Sequence, residues 1–217
     1  MKPGLLITFE GIEGCGKSTQ LRLAAEWLTE KGIRFFCTRE PGGSQIGSEI
    51  RKILLSQKTV ALAPISEALL YMADRFQHIA EVITPRLAVG QLVLCDRYHD
   101  STVAYQGYAR NISLELLEQI WRQSGMSIDP DYTLLFDLDP ETGIGRSMQK
   151  LQRLNLDESR FERETLEFHA KVRNGFLALS KLNPGRFEVL DASGSVEKVH
   201  QQTVSVLERR LRLKGYL

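Results

Sequence analysis

The chain has 217 residues, 42% hydrophobic and 25% charged, with 28 basic and 27 acidic side chains for a formal net charge of +1. The size fits one domain of the larger kind with a full core, and the charge balance excludes a broad surface for a nucleic-acid backbone. Three cysteines (Cys15, Cys37, Cys95) lack the paired spacing of a disulfide framework or a zinc site. They read as reduced thiols of a cytoplasmic protein.

The chain starts on a strand pattern. No apolar run approaches the length of a membrane span, and no leader with a small-residue cleavage site is expected. Residues 5–9, LLITF, form a short apolar run. A helical pattern follows over 20–32, with Leu21, Ala24, Ala25 and Leu28 on one face and Gly32 as its stop. Residues 33–40 read as a second strand, and 44–56 and 65–90 as two helices. A third strand falls at 91–98, a helix at 113–125 and a fourth strand at 131–139. A helix opens at Pro140 with acidic residues behind it. Residues 150–160 carry mixed charge and read as a loop, followed by a helix over 161–182, a fifth strand at 186–192 and a closing helix at 196–215. Apolar strands alternating with helices predict an α/β fold, a parallel sheet covered on both faces. Its strand C-termini share the edge where ligands bind.

Between the first strand and the first helix lies GIEGCGKST, residues 11–19. Gly11, Gly16, Lys17 and Ser18 fit the phosphate-loop pattern in its proper strand–loop–helix context. Such a loop turns successive backbone N–H groups toward phosphate oxygens, and the helix behind it points its dipole at the same anion. Gly11, Ile12, Glu13, Gly14, Cys15, Gly16, Lys17, Ser18 and Thr19 are therefore the expected ATP-binding residues. Lys17 supplies a charge for the β- and γ-phosphates, and Ser18 a hydroxyl for Mg²⁺. No Asn-Lys-x-Asp segment for reading guanine occurs.

Asp96 closes the third strand and is a candidate for holding Mg²⁺ through water; Arg97 follows it. Tyr71 and Arg75 lie four residues apart on one helical face, a spacing suited to an aromatic and a cation on one nucleotide. Arg39, Arg75 and Arg97 suggest a second anion besides ATP, a monophosphate acceptor. A kinase for one of several nucleoside monophosphates and an ATP-binding regulator both remain open on these residues alone.

The segments FEGIEGCGKSTQ, TREPGG, LLYMADRFQHI, DRYHDSTVAYQG and SRFERE together resemble the thymidylate kinase family over nearly the whole chain. The resemblance implies a P-loop NTPase fold with a five-stranded parallel sheet, one domain over 1–217 and a short lid at about 146–162. It implies transfer of phosphate from ATP to dTMP with Mg²⁺, in a homodimer. It places Tyr71 on thymine, Arg75 on base or acceptor phosphate, Arg97 on that phosphate and Glu13 near the acceptor sugar and the metal. Arg39, Glu40, Pro41, Ser101, Thr102, Tyr105 and Gln106 complete the acceptor site, with Tyr105 crowding a ribose 2′-OH. Gly14 stands where one branch of the family keeps a loop arginine, so the catalytic arginine is expected from the lid. Arg146, Lys150, Arg153 and Arg160 are the candidates, and Arg153 the expected one. Ser159 stands where an aspartate is common, which puts the lid's anchoring in question.

Overall fold

The computed structural model describes residues 4–56, 62–154 and 160–217. Five strands form one parallel sheet in the order β2-β3-β1-β4-β5: β1 (Leu5–Glu10), β2 (Phe35–Arg39), β3 (Leu92–Asp96), β4 (Tyr132–Asp137) and β5 (Phe187–Asp191). Burial follows position in the sheet. The three inner strands are buried along nearly their whole length, whereas β2 and β5, at the edges, are partly exposed. This is why the inner strands read as continuous apolar runs.

Helices cover both faces: α1 (Lys17–Glu30), α2 (Gln45–Leu55), α3 (Pro64–His78), α4 (Thr84–Ala88), α5 (His99–Thr102), α6 (Leu114–Gln123), α7 (Pro140–Leu154), α8 (Leu166–Leu182) and α9 (Val196–Leu213). One apolar core joins Phe9, Leu94, Leu134 and Phe136 of the sheet to Leu28, Phe176 and Leu207 of the helices. Among the described residues no helix is long and apolar enough to cross a membrane.

Four features differ from the sequence expectation. The helix expected over 65–90 is interrupted by a π turn at Ile79–Ile83. That turn ends two residues before Pro85, whose ring would clash with the carbonyl four residues back in a regular helix. Residues 99–109, given no element from sequence, form α5 and a second π turn, Val103–Ala109. Residues 150–154, read as loop, continue α7; their Lys, Leu, Gln and Arg are good helix formers whatever their charge. Residues 155–159, including Ser159, lie outside the described residues. The last long helix but one starts at Leu166 rather than 161, because Thr165 caps it, accepting from Phe168 N at 3.2 Å.

Candidate active site

The site is built where β1 and β3 end side by side. Phe9 pairs with Asp96 and Arg39 with Asp96 across the next strand, so the loop after β1 starts beside three strand ends. The loop closes on its own lysine: Lys17 Nζ donates to Gly11 O at 2.9 Å and to Ile12 O at 2.7 Å. Ile12 and Cys15 turn into the core, while Glu13, Gly14, Lys17 and Ser18 face a cleft. Gly11, Gly16 and Thr19 complete the loop and the first turn of α1. Ser18 Oγ donates to Asp96 Oδ2 at 2.5 Å. Hydroxyl and carboxylate oxygens so paired form a hard donor set that fits Mg²⁺.

Gly14 has φ +68°, and a Cβ there would lie 1.9 Å from the Gly143 carbonyl oxygen in the first turn of α7. Only glycine fits that backbone and that approach. An arginine at position 14 is sterically excluded, which accounts for a phosphate loop without a guanidinium.

Glu13 and Arg97 form the charged centre of the cleft. Arg97 has a left-handed backbone, φ +67°, unusual outside glycine and costing on the order of 1–2 kcal/mol. Its N–H donates to Phe9 O at 3.0 Å, and the guanidinium reaches Gly11 O at 2.9 Å, Ser101 Oγ at 3.1 Å and Glu13 Oε1 at 2.9 Å. Tyr105 OH donates to the same Glu13 oxygen at 2.6 Å, and its ring lies 5.0 Å from the Arg97 guanidinium carbon. Burial opposes the charge on Glu13, but Arg97, His169, Lys17 and Tyr105 outweigh it and hold the carboxyl down to about 2. Burial is likewise the largest influence on Arg97, opposing its charge; Tyr105, Glu13 and Glu10 overcome it and hold the guanidinium well above its ordinary value.

The cleft has a volume of about 780 Å³, ample for nucleotide-sized ligands. Its walls bring together Arg39, Glu40 and Pro41 after β2, Tyr71 of α3, Asp96 and Arg97 after β3, and Ser101, Thr102, Tyr105 and Gln106. Tyr105 and Gln106 sit on the second π turn, where the Arg110 N–H reaches back to Tyr105 O at 2.9 Å. The expected residue that does not line this cleft on the acceptor side is Arg75. It is fully buried behind the wall, donating to Glu40 Oε2 at 2.7 Å, Thr102 Oγ1 at 2.8 Å and Tyr98 O at 3.0 Å. Glu40 also meets His78 Nδ1 at 2.8 Å, and His78 Nε2 pairs with Thr38 Oγ1 at 2.7 Å. Glu40, His78 and Cys95 bring three potential metal ligands together, but Arg75 and Thr38 already engage two of them.

The four lid candidates separate. Lys150 lines the cleft beside Glu162, whereas Arg153, one turn further along α7, is exposed and outside the lining. Arg146 reaches the carbonyls of Ala192 and Ser193 after β5, at 3.2 and 3.4 Å. Arg160 is an anchor: it donates to Leu54 O at 3.0 Å and closely pairs with the buried Glu67. Glu67 also accepts from Gln106 at 2.8 Å and Arg110 at 3.3 Å. Sequence reasoning did not single out Glu67 or His169. Glu67 was findable, since it shares the four-residue spacing of Tyr71 and Arg75. His169 sits beside Phe168 on a core-facing turn, with no local mark of a polar role.

A family model described as thymidylate kinase matches residues 9–203. The chain belongs to the thymidylate kinase family. Among curated family members, that of Desulforapulum autotrophicum is 49% identical over 209 residues, 95% of this chain and 92% of its own. That of Geobacter sp. strain M21 is 46% identical over 213 residues, 98% of this chain and 95% of its own. The crystal structure of thymidylate kinase from Ehrlichia chaffeensis matches with a TM-score of 0.75 at 33% identity, covering 95% of this chain and 99% of that one. The fold is thus the P-loop NTPase fold expected from the opening motif, with the expected five-stranded parallel sheet.

Proposed function

We propose that the cleft carries out ATP-dependent phosphorylation of dTMP, giving ADP and dTDP for dTTP synthesis. Family membership supports this over a kinase for another monophosphate or an ATP-binding regulator. The carrying observation is the Glu13–Arg97–Tyr105 cluster set against the phosphate loop. An ATP-binding regulator has no need of such an acceptor site.

An oxygen of the acceptor phosphate attacks the γ-phosphorus, and the bond to the β,γ-bridging oxygen breaks with ADP as leaving group. Lys17 exchanges the Gly11 and Ile12 carbonyls for phosphate oxygens. Ser18 and Asp96 are the residues that would hold Mg²⁺, which when bound draws charge from the β- and γ-phosphates. Arg97, aimed by Glu13, takes the acceptor phosphate, and Arg39 adds charge at the same edge. Tyr71 stacks on thymine; Ser101, Thr102 and Gln106 read base and sugar; the Tyr105 ring crowds a 2′-OH. Arg75 acts through the wall, holding Glu40 and Thr102 in place. No strong base is needed, because the acceptor phosphate is already ionised.

The transferred group still needs a cation beyond Lys17. The end of α7 supplies it, with Arg153 brought in when that end of the helix shifts toward ATP and Lys150 already at the wall. Arginine's planar fork suits two phosphoryl oxygens. The enzyme works in the cytoplasm as a homodimer, for which the exposed Ile46 of α2 and Ile65 and Leu69 of α3 offer an apolar face.

The test is an acceptor panel of dTMP, dUMP, UMP, CMP, AMP and GMP with ATP. dTMP should be preferred; ATP turnover with no phosphorylated acceptor would overturn the reading. In the same assay Arg153→Ala should lower kcat by about 10³, the low end for arginine fingers, with dTMP KM little changed. A crippled Lys150→Ala beside a silent Arg153→Ala would move the role to Lys150.

A further inference from the structure

Asp74 lies on α3, three residues after Tyr71, and has no exposed surface. Its Oδ1 accepts from the Gly42 N–H at 2.9 Å. Gly42 belongs to the loop that leaves β2 and has a left-handed backbone, φ +102°. Two neighbours on α3 hold the same loop: Arg75 and His78 meet the two oxygens of Glu40 at 2.7 and 2.8 Å. Bare backbone makes room for these side chains. A Cβ on Gly43 would lie 2.3 Å from His78 Nε2, and one on Gly47, in the first turn of α2, would lie 2.2 Å from Asp74 Oδ1. The Asp74 carboxyl therefore stands where α3, the loop and the start of α2 meet, and a helix N-terminus favours a negative group there.

The two carboxyls divide the work. Glu40 is engaged by side chains of α3, whereas Asp74 takes a main-chain N–H of the loop. Burial first, and Glu40 second, push the Asp74 carboxyl up to about 6, against the pull of the Gly42 N–H. At neutral pH it is mostly ionised, and an N–H bond to a carboxylate is stronger than one to a neutral acceptor. Arg39 and Pro41, on the loop, line one side of the cleft, and Tyr71, on the helix, lines another. Tyr71 and Asp74 are about one turn apart on the same rigid element, so the bond to Gly42 fixes how far the loop stands from the Tyr71 ring.

We infer that Asp74 is a positioning residue which, through the Gly42 N–H, sets the span between the Arg39–Pro41 edge and the Tyr71 ring, and with it the fit of the monophosphate acceptor. This rests on the reading of Arg39 and Tyr71 as acceptor-binding groups. Asp74 itself is outside the cleft lining and touches no reacting atom.

Two substitutions and one measurement on the parent protein test it. Asp74→Ala removes the acceptor for Gly42. Loss of a bond to a charged group predicts about a tenfold rise in dTMP KM, with ATP KM within about twofold and kcat within about threefold. Asp74→Asn keeps an oxygen for the Gly42 N–H and should hold dTMP KM within about threefold of the parent. An unchanged dTMP KM in Asp74→Ala, equal rises for dTMP and ATP, or an Asp74→Asn as impaired as Asp74→Ala would overturn the inference. Hydrogen exchange of the Gly42 amide needs no variant to fold. That amide should exchange at least about tenfold more slowly than an open-loop amide, and exchange at the open-loop rate sinks the proposal. Tyr71→Ala serves as the separate check on the acceptor reading. Unchanged dTMP KM there removes that reading, whereas raised KM there with a silent Asp74→Ala removes only the role of Asp74.

Discussion

Glu10, the last residue of β1, has no exposed surface, and its carboxyl accepts from Tyr98 N and Ser101 Oγ, each at 2.7 Å. Burial first, and the nearby Asp100 second, push its carboxyl up from the ordinary 4.5 to about 8. The sign follows from which form is penalised. Below about pH 4.5 the group is neutral whether the chain is folded or not, and there is no cost. Between 4.5 and 8 the unfolded chain releases a proton that the folded chain retains, so stability falls as pH rises. Above 8 the cost stays constant. At 1.36 kcal/mol per unit this amounts to about 3 kcal/mol by pH 7 and about 5 kcal/mol above pH 8. Glu10→Gln copies the neutral form, with its amide N–H placed to donate to Ser101. The variant should match the parent near pH 4.5 and exceed it by about 3 kcal/mol at pH 7, which at this chain length is a rise in Tm on the order of 10 °C. Urea unfolding of both proteins across pH 4.5 to 9 measures the difference, in which the other titrating groups largely cancel. A pH-independent difference, or a variant less stable than the parent at pH 8, would refute the reasoning.

Two further outcomes are expected. Tyr105→Phe removes one donor from Glu13 but keeps the ring among Phe161, Phe168 and Phe176. It should raise dTMP KM by about tenfold, from the loss of a hydrogen bond to a charged group, and leave discrimination against the ribose counterpart intact; if discrimination is lost in steady-state assays, it belongs to the hydroxyl rather than to the ring. Among the described residues Arg160→Ala leaves the buried Glu67 with Gln106 and Arg110, and the lost bond to a charged group should cost about 2 kcal/mol in urea unfolding. A loss under about 1 kcal/mol would mean that Arg160 does not anchor its segment.

What sequence can and cannot convey is visible in these residues. β1, β3 and β4 are legible because inner strands of a parallel sheet must be apolar on both faces. The phosphate loop is legible because its chemistry is local: glycines, lysine and serine act within nine residues of one another. The buried network is not local. Glu67 meets partners 39 to 93 residues away in the chain, and His169 faces a carboxylate on the opposite side of the sequence. Arg75 shows the converse limit. Its spacing from Tyr71 puts both on one helix face, yet one ends in the cleft lining and the other behind it, because depth along a side chain is set by the Glu40, Thr102 and Tyr98 groups that receive it. The π turns escaped as well, since an added residue in a helical turn carries no signature in residue type.

The contact between Gly14 and Gly143 bears on how this enzyme can change. A Cβ on Gly143 would lie 2.5 Å from the Glu13 carbonyl oxygen, so the two backbones interlock from both sides. Neither position can acquire a side chain while the other stays where it is. A chain that gained an arginine at position 14 would first have to lift the start of α7 away from that loop. Every single-step intermediate would carry a collision at the nucleotide site. A phosphate loop with a side chain at position 14 is thus separated from this one by a main-chain rearrangement rather than by one codon.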